Sequence, residues 1–328
     1  MNDGWSSPWW LPDGHSQTIW AAKLARRSLK PATWQRERWT TPDDDFVDVD
    51  WLQADATDHA SLLVLFHGLE GSTRSHYAQA FAQTAAARHW RLAVPHFRGC
   101  SGELNRMPRA YHSGDWQEIE WLLQRVRERH AGPIFAVGVS LGGNALMRWA
   151  GEMGESAQQR VDAVVSICSP LDLVASGQAL GKGVNRWIYT PMFLQTMKPK
   201  ARAKWRQYPR LFDLARAMGA RTLYEFDDAF TAPLHGFKGV MDYWRRASAK
   251  PHMHRIRVPA LALNARNDPF IPVESLPTQQ DVSEWVTLWQ PEHGGHVGFA
   301  TGRFPAELSA MPEGVADWLA QQRVMNHG

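Results

Sequence analysis

The sequence predicts an α/β protein: a mostly parallel central sheet flanked by helices, with a helical cap inserted between two of its strands. Three observations carry this. Short apolar runs ended by turn residues alternate with helical stretches through the first half of the chain, the rhythm then gives way to helix alone between about 171 and 249, and afterwards it resumes.

Taken in order, Ser61-Leu-Leu-Val-Leu-Phe66 is continuously apolar and stops at His67-Gly68, as expected of a strand buried on both faces. An Ala-rich stretch from Tyr77 to Arg88 reads as helix, and Arg91-Leu-Ala-Val-Pro95 as the next strand. Asp115 is a suitable N-cap for a helix to about Arg129, with Ile119, Leu122, Leu123 and Val126 at helical spacing. Ile134 to Val137 is a third strand, Gly143 to Gly151 opens a helix, and Val161 to Ile167 is a fourth strand. Right-handed crossovers between such strands build a parallel sheet. Strands return at Ala260 to Leu263 and Trp285 to Trp289, and an amphipathic helix from Glu307 closes the chain. The expected organisation is an N-terminal segment (1–45) packing on the outside, a core domain (46–170 and 250–328) and a helical cap (171–249).

Composition excludes several classes. With 44% hydrophobic and 21% charged residues the chain buries a sizeable core and is not disordered. Its 36 basic and 33 acidic residues include no long single-sign block to form a nucleic-acid stripe, so no nucleic-acid partner is expected. No stretch approaches the ~20 apolar residues of a membrane span, so no integral membrane segment is expected. The start of the chain carries neither the basic nor the apolar region of a secretory signal. Cys100 and Cys168 fit neither a zinc site nor a disulfide framework and read as reduced thiols in a cytoplasmic protein. No cofactor and no metal are expected, and no oligomeric state is specified.

The chemistry is concentrated in Gly138-Val139-Ser140-Leu141-Gly142. A bare Gly-x-Ser-x-Gly arises by chance in roughly one protein in ten of this length at average residue usage. Here it lies between a buried strand and a helix, which is the setting of a nucleophile elbow: the turn is tight enough to strain the serine and to require glycine on either side. A serine hydroxyl needs a general base, and the base an orienting group. Asp268, in the loop after the strand Ala260 to Leu263, is the expected acid, with Asp172 as an alternative whose other role is helix N-cap. In Glu292-His293-Gly294-Gly295-His296 the expected base is His296; the His-x-x-His spacing suits a metal poorly, because no Glu follows the first histidine and two glycines disfavour a rigid helix. Oxyanion donors are expected from the backbone N–H of Leu141, directly after the nucleophile, and of Leu69, in the loop His67 to Gly71. His67, Trp187, Met192 and Phe193 are candidate substrate contacts, while Arg98 reads as structural. Arg186, Lys198, Lys200, Arg202 and Lys204 give the cap a basic face, a solvated surface by default and otherwise an attractor of anionic lipid or acidic substrate.

Beyond these residues, long runs resemble the YheT family of α/β hydrolases, whose members include bacterial YheT-like proteins and membrane-anchored eukaryotic relatives. The runs are His15-Ser-Gln-Thr18, Phe66-His-Gly-Leu-Glu-Gly71, His96-Phe-Arg-Gly-Cys-Ser-Gly-Glu103, Asn105-Arg106, Tyr111-His-Ser-Gly114, Gly138 to Asn144, Glu225-Phe-Asp-Asp228, His235-Gly-Phe237, Asp268-Pro-Phe270 and Glu292 to Phe299. The resemblance implies the α/β-hydrolase fold, Ser140, Asp268 and His296 as a charge-relay set, and hydrolysis of carboxylic esters, short-chain or acylglycerol, with a small ester or lipid-like molecule as substrate. A fold of this kind without turnover, serving as a ligand-binding protein, and an acyltransferase or perhydrolase using the same serine are the alternatives. The relatives' N-terminal membrane anchor is not expected here.

Overall fold

A computed structural model describes residues 7–25 and 29–326. Eight strands form one sheet in the order β1-β2-β4-β3-β5-β6-β7-β8. They are β1 (Trp34–Thr40), β2 (Phe46–Leu52), β3 (Leu62–Phe66), β4 (Arg91–Pro95), β5 (Ile134–Val139), β6 (Ala163–Ile167), β7 (Ala260–Leu263) and β8 (Val286–Trp289). From β4 to β8 every pairing is parallel, and β1 and β2 extend that edge antiparallel. The parallel strands β3, β5, β6 and β7 are wholly buried, which is why each reads as an unbroken apolar run.

Two strands fall where the sequence reading placed none. The segment before residue 46 does not merely wrap the core, because β1 lies within it and joins the sheet. Its outward face is polar, and β2 buries Asp48 and Asp50 among its apolar residues. Register explains both. Arg36 stands opposite Asp50 and Arg38 opposite Asp48, and each guanidinium donates two hydrogen bonds of 2.7 and 2.9 Å to its carboxylate. A cross-strand charge pair replaces the apolar alternation by which strands are recognised.

Helices cover both faces. Before the sheet comes α1 (Gly14–Lys23); between strands lie α2 (His76–Ala87), α3 (Trp116–Arg127) and α4 (Leu141–Met153). Asp115 does precede α3, yet its carboxylate pairs with Arg109 and makes no capping bond. Between β6 and β7 runs a purely helical excursion: α5 (Leu173–Leu180), α6 (Gly183–Gln207), α7 (Leu214–Gly219), α8 (Leu223–Phe226), α9 (Ala232–Leu234) and α10 (Val240–Ala247). It has an apolar cluster of its own, including Leu194, Phe212, Phe226 and Phe230, which reaches the main body through Phe270 and Ile271. The last helix, α11 (Ala310–Asn326), begins three residues later than expected, because Glu307 is held in a bridge to Thr301.

Candidate active site

Ser140 sits at the end of β5, where the chain reverses into α4. Its backbone has φ 54° and ψ −119°, a conformation costing about 1–3 kcal/mol for a residue with a side chain. The bend is pinned by Ser140 N–H donating to the Ile167 carbonyl (2.8 Å), and the Ser140 carbonyl accepts from Asn144 N–H (3.1 Å). The flanking glycines are required by space. A Cβ on Gly138 would lie 2.5 Å from the Gly142 carbonyl oxygen, and one on Gly142 would lie 2.5 Å from that of Phe66. The helix therefore starts at Leu141, two residues before the expected Gly143.

Three loops converge on that serine. His296 Nε2 lies 3.1 Å from Ser140 Oγ, and His296 Nδ1 lies 2.8 Å from Asp268 Oδ2. With Nδ1–H donating to the carboxylate, the Nε2 lone pair faces the serine hydroxyl. Asp268 is buried, and its other oxygen accepts from Phe270 N–H (2.8 Å), so the carboxylate cannot swing away. The imidazole packs on the Phe270 ring, 4.2 Å between centroids. Asp172, the alternative acid, accepts from Val174 and Ala175 N–H and caps α5.

The first helix holds the histidine loop. Thr18 Oγ1 on α1 accepts from His296 N–H (2.8 Å). The buried Gln17 side chain accepts from Gly294 N–H (2.8 Å) and from Asn267 Nδ2 (3.0 Å), and Asn267 Oδ1 in turn accepts from Gly295 N–H (2.9 Å). One turn of α1 thus ties the loop of Asp268 to the loop of His296. The only hint in the sequence was that His15 to Thr18 forms one of the resembling runs.

Leu69 and Leu141 both line a cavity at Ser140, and among the described residues neither backbone N–H has an acceptor. The Leu69 loop is stiff. Gly68 N–H donates to the Tyr77 hydroxyl (2.9 Å), and Glu70, at φ 57°, exchanges bonds with Tyr111: its N–H donates to the phenol oxygen (3.0 Å), whose O–H returns to Oε1 (2.8 Å). Lys200 of α6 donates to the same carboxylate (2.8 Å), linking cap and loop.

Of the four side chains assigned to substrate, Phe193 lines the cavity. His67 does not: it is fully buried, donates from Nδ1 to the Gly68 carbonyl (2.8 Å) and accepts at Nε2 from Phe97 N–H (3.0 Å). Burial holds its pKa down to about 3, so it is a neutral brace between two loops. Trp187 and Met192 lie on the outward side of α6, away from the cavity. Trp187 and Met192 have the right chemistry for a pocket, but helix phase turns them to the other face of α6. Arg98 is structural: Nη1 pairs with Asp43 and Asp45 (2.8 and 2.9 Å) and Nε with Glu118 (2.6 Å).

The cavity, about 140 Å³, runs from Ser140 and His296 between core and cap. Its walls are mainly apolar, with Leu173, Leu180, Met197 and Phe230 among them, and two acids line it, Glu70 and Asp227. Burial pushes the Asp227 carboxyl up to about 6, although Thr231 O–H (2.7 Å) and Trp244 Nε1–H (2.9 Å) donate to it and oppose the shift.

Known proteins give this arrangement its context. Residues 61–302 match the family described as alpha/beta hydrolase fold. The Escherichia coli protein named "Putative esterase YheT" is 39% identical over 93% of this chain and 89% of its own length. Human "Phospholipase ABHD3" is 26% identical over 97% of this chain and 78% of its own. A solved Pyrococcus furiosus esterase superposes with a TM-score of 0.51 at 16% identity, covering 89% of this chain and 90% of that one, a likeness of fold. Among the described residues no helix is long and apolar enough to cross a membrane.

Proposed function

Since this chain belongs to the α/β-hydrolase fold family, with YheT as a relative, we propose that it is a serine esterase hydrolysing small carboxylic esters through an acyl-enzyme on Ser140. The observation that carries this reading is the unbroken line Asp268 Oδ2, His296 Nδ1, His296 Nε2 and Ser140 Oγ, with spacings of 2.8 and 3.1 Å. Ser140 Oγ attacks the ester carbonyl while His296 Nε2 takes its proton; Asp268 holds the tautomer and stabilises the imidazolium. The Leu69 and Leu141 N–H groups receive the oxyanion, each donor being worth about 10² to 10³ in rate. The leaving alcohol departs with the proton from His296, and water, deprotonated by the same imidazole, releases the acid.

Cavity size bears on the acyl group. About 140 Å³ compares with the roughly 150 Å³ apolar cavity that accommodates benzene, which is room for about six carbon atoms. Short acyl chains fit within it, and an acylglycerol would have to leave most of a long chain outside. The test is a p-nitrophenyl ester series with wild type and Ser140→Ala. Rates should peak at butyrate to hexanoate and fall toward palmitate. Ser140→Ala should lower kcat by about 10⁶, as loss of a catalytic serine does elsewhere. A variant retaining a tenth of wild-type activity would overturn the assignment of Ser140.

A further inference from the structure

The outward side of α6 serves neither the cavity nor the cap's own core. Val184, Trp187, Ile188 and Met192 are 50%, 78%, 39% and 40% exposed. Their spacing, i, i+3, i+4 and i+8, places them on one helical face, where Pro191 joins them. Further along the same face, on either side of a second proline at 199, the apolar residues give way to Lys198, Arg202 and Arg206. A groove beside the helix is lined by Trp187, Pro191 and Leu194 together with Arg186, Arg202 and Arg221.

Charge here has one sign. From 173 to 212 the chain contains eight Lys or Arg and no Asp or Glu, in a protein whose totals are nearly balanced. Two of the eight, Lys200 and Lys204, turn inward: Lys200 to Glu70, and Lys204 to the Asn105 and Met107 carbonyls (both 2.8 Å). The rest stay on the outside of the cap with no carboxylate partner among the described residues.

We propose that this face of α6 docks on an anionic lipid surface. A helix lying in a bilayer interface needs an apolar strip with a large aromatic residue, flanked by cations that meet the headgroups, and that is the composition found here. Burying Trp187, Ile188, Val184 and Met192 removes exposed apolar area, while Arg186, Lys198, Arg202 and Arg206 meet lipid phosphate. A second copy of the chain fits less well, since symmetric pairing would bring these cations together. The opposite side of α6 carries Phe193 and Met197 into the cavity, so a docked surface lies one helix diameter, ~10 Å, from the cavity wall. The inference does not depend on the esterase reading.

The test is co-sedimentation of the full chain with phosphatidylcholine vesicles, with and without a quarter phosphatidylglycerol, at low and high salt. Binding is expected on the anionic vesicles alone and should fall at least tenfold at high salt, because each cation near such a surface contributes about fivefold. The double variant Arg186→Glu/Arg202→Glu should lose at least tenfold in partitioning while keeping wild-type rates on a soluble ester and an unchanged unfolding temperature. Trp187→Ala, which leaves the charge intact, should lose severalfold. Equal binding to neutral and anionic vesicles, or binding untouched by both variants, overturns the proposal. So does a dimer in sedimentation velocity that Trp187→Ala dissolves, which would assign the face to a second copy.

Discussion

Thr18→Val tests whether the first helix positions the base. Valine keeps the shape of threonine and replaces the hydroxyl by a methyl group, so packing is nearly conserved while the acceptor for His296 N–H is lost. The site is almost closed to solvent, Thr18 being 6% exposed, and water cannot readily take the hydroxyl's place. An unsatisfied buried N–H costs about 1–3 kcal/mol. For a chain of 328 residues, where 1 kcal/mol moves Tm by about 2 °C, the expected fall is roughly 2–6 °C. The larger consequence is catalytic. If the loop relaxes by about 1 Å, the 3.1 Å approach of Nε2 to Ser140 Oγ is lost, and misplacement on that scale costs about 10²-fold. The loss should lie in kcat, with KM for p-nitrophenyl butyrate nearly unchanged, since Thr18 does not line the cavity. Thr18→Ser, which keeps the oxygen, should recover most of the rate. A Thr18→Val enzyme within twofold of wild type in kcat and within 1 °C in Tm would refute the idea that α1 holds the base.

Gly142→Ala should fold poorly or lose more than about 3 kcal/mol in denaturant unfolding, because the new methyl would meet the Phe66 and His67 carbonyl oxygens at 2.5 and 2.6 Å, and neither backbone can retreat from a buried strand end. An alanine variant with wild-type stability would contradict the elbow geometry. Asp227 gives a pH signature. Its folded pKa, about 6, lies above the ordinary 3.8, so between those values the folded chain holds a proton that the unfolded chain has released, and stability falls as pH rises through that window. The total is up to about 3 kcal/mol. Asp227→Asn can still accept from Trp244 and donate to Thr231, so it should flatten the slope between pH 4 and 6 and be at least as stable as wild type at pH 7; unfolding curves across that range decide it.

Some of this molecule is written in short stretches of its sequence. The buried parallel strands announce themselves as apolar runs because both faces are covered, and the serine turn announces itself because only glycine fits beside it. The places of Asp268 after β7 and of His296 after β8 follow from the strand order. Other features have no local signature. The strand Trp34–Thr40 looks like a polar connector until Arg36 and Arg38 find Asp50 and Asp48 across the ladder. Thr18 and Gln17 could not be tied to a histidine 278 residues away, since a hydrogen bond at that separation exists only after the whole sheet has formed. Trp187, Met192 and Phe193 are equally apolar in sequence. Rotation about one helix axis sends Phe193 into the cavity and the other two outward, and that phase is set by what the far side of the helix packs against, a property of the assembled tertiary structure alone.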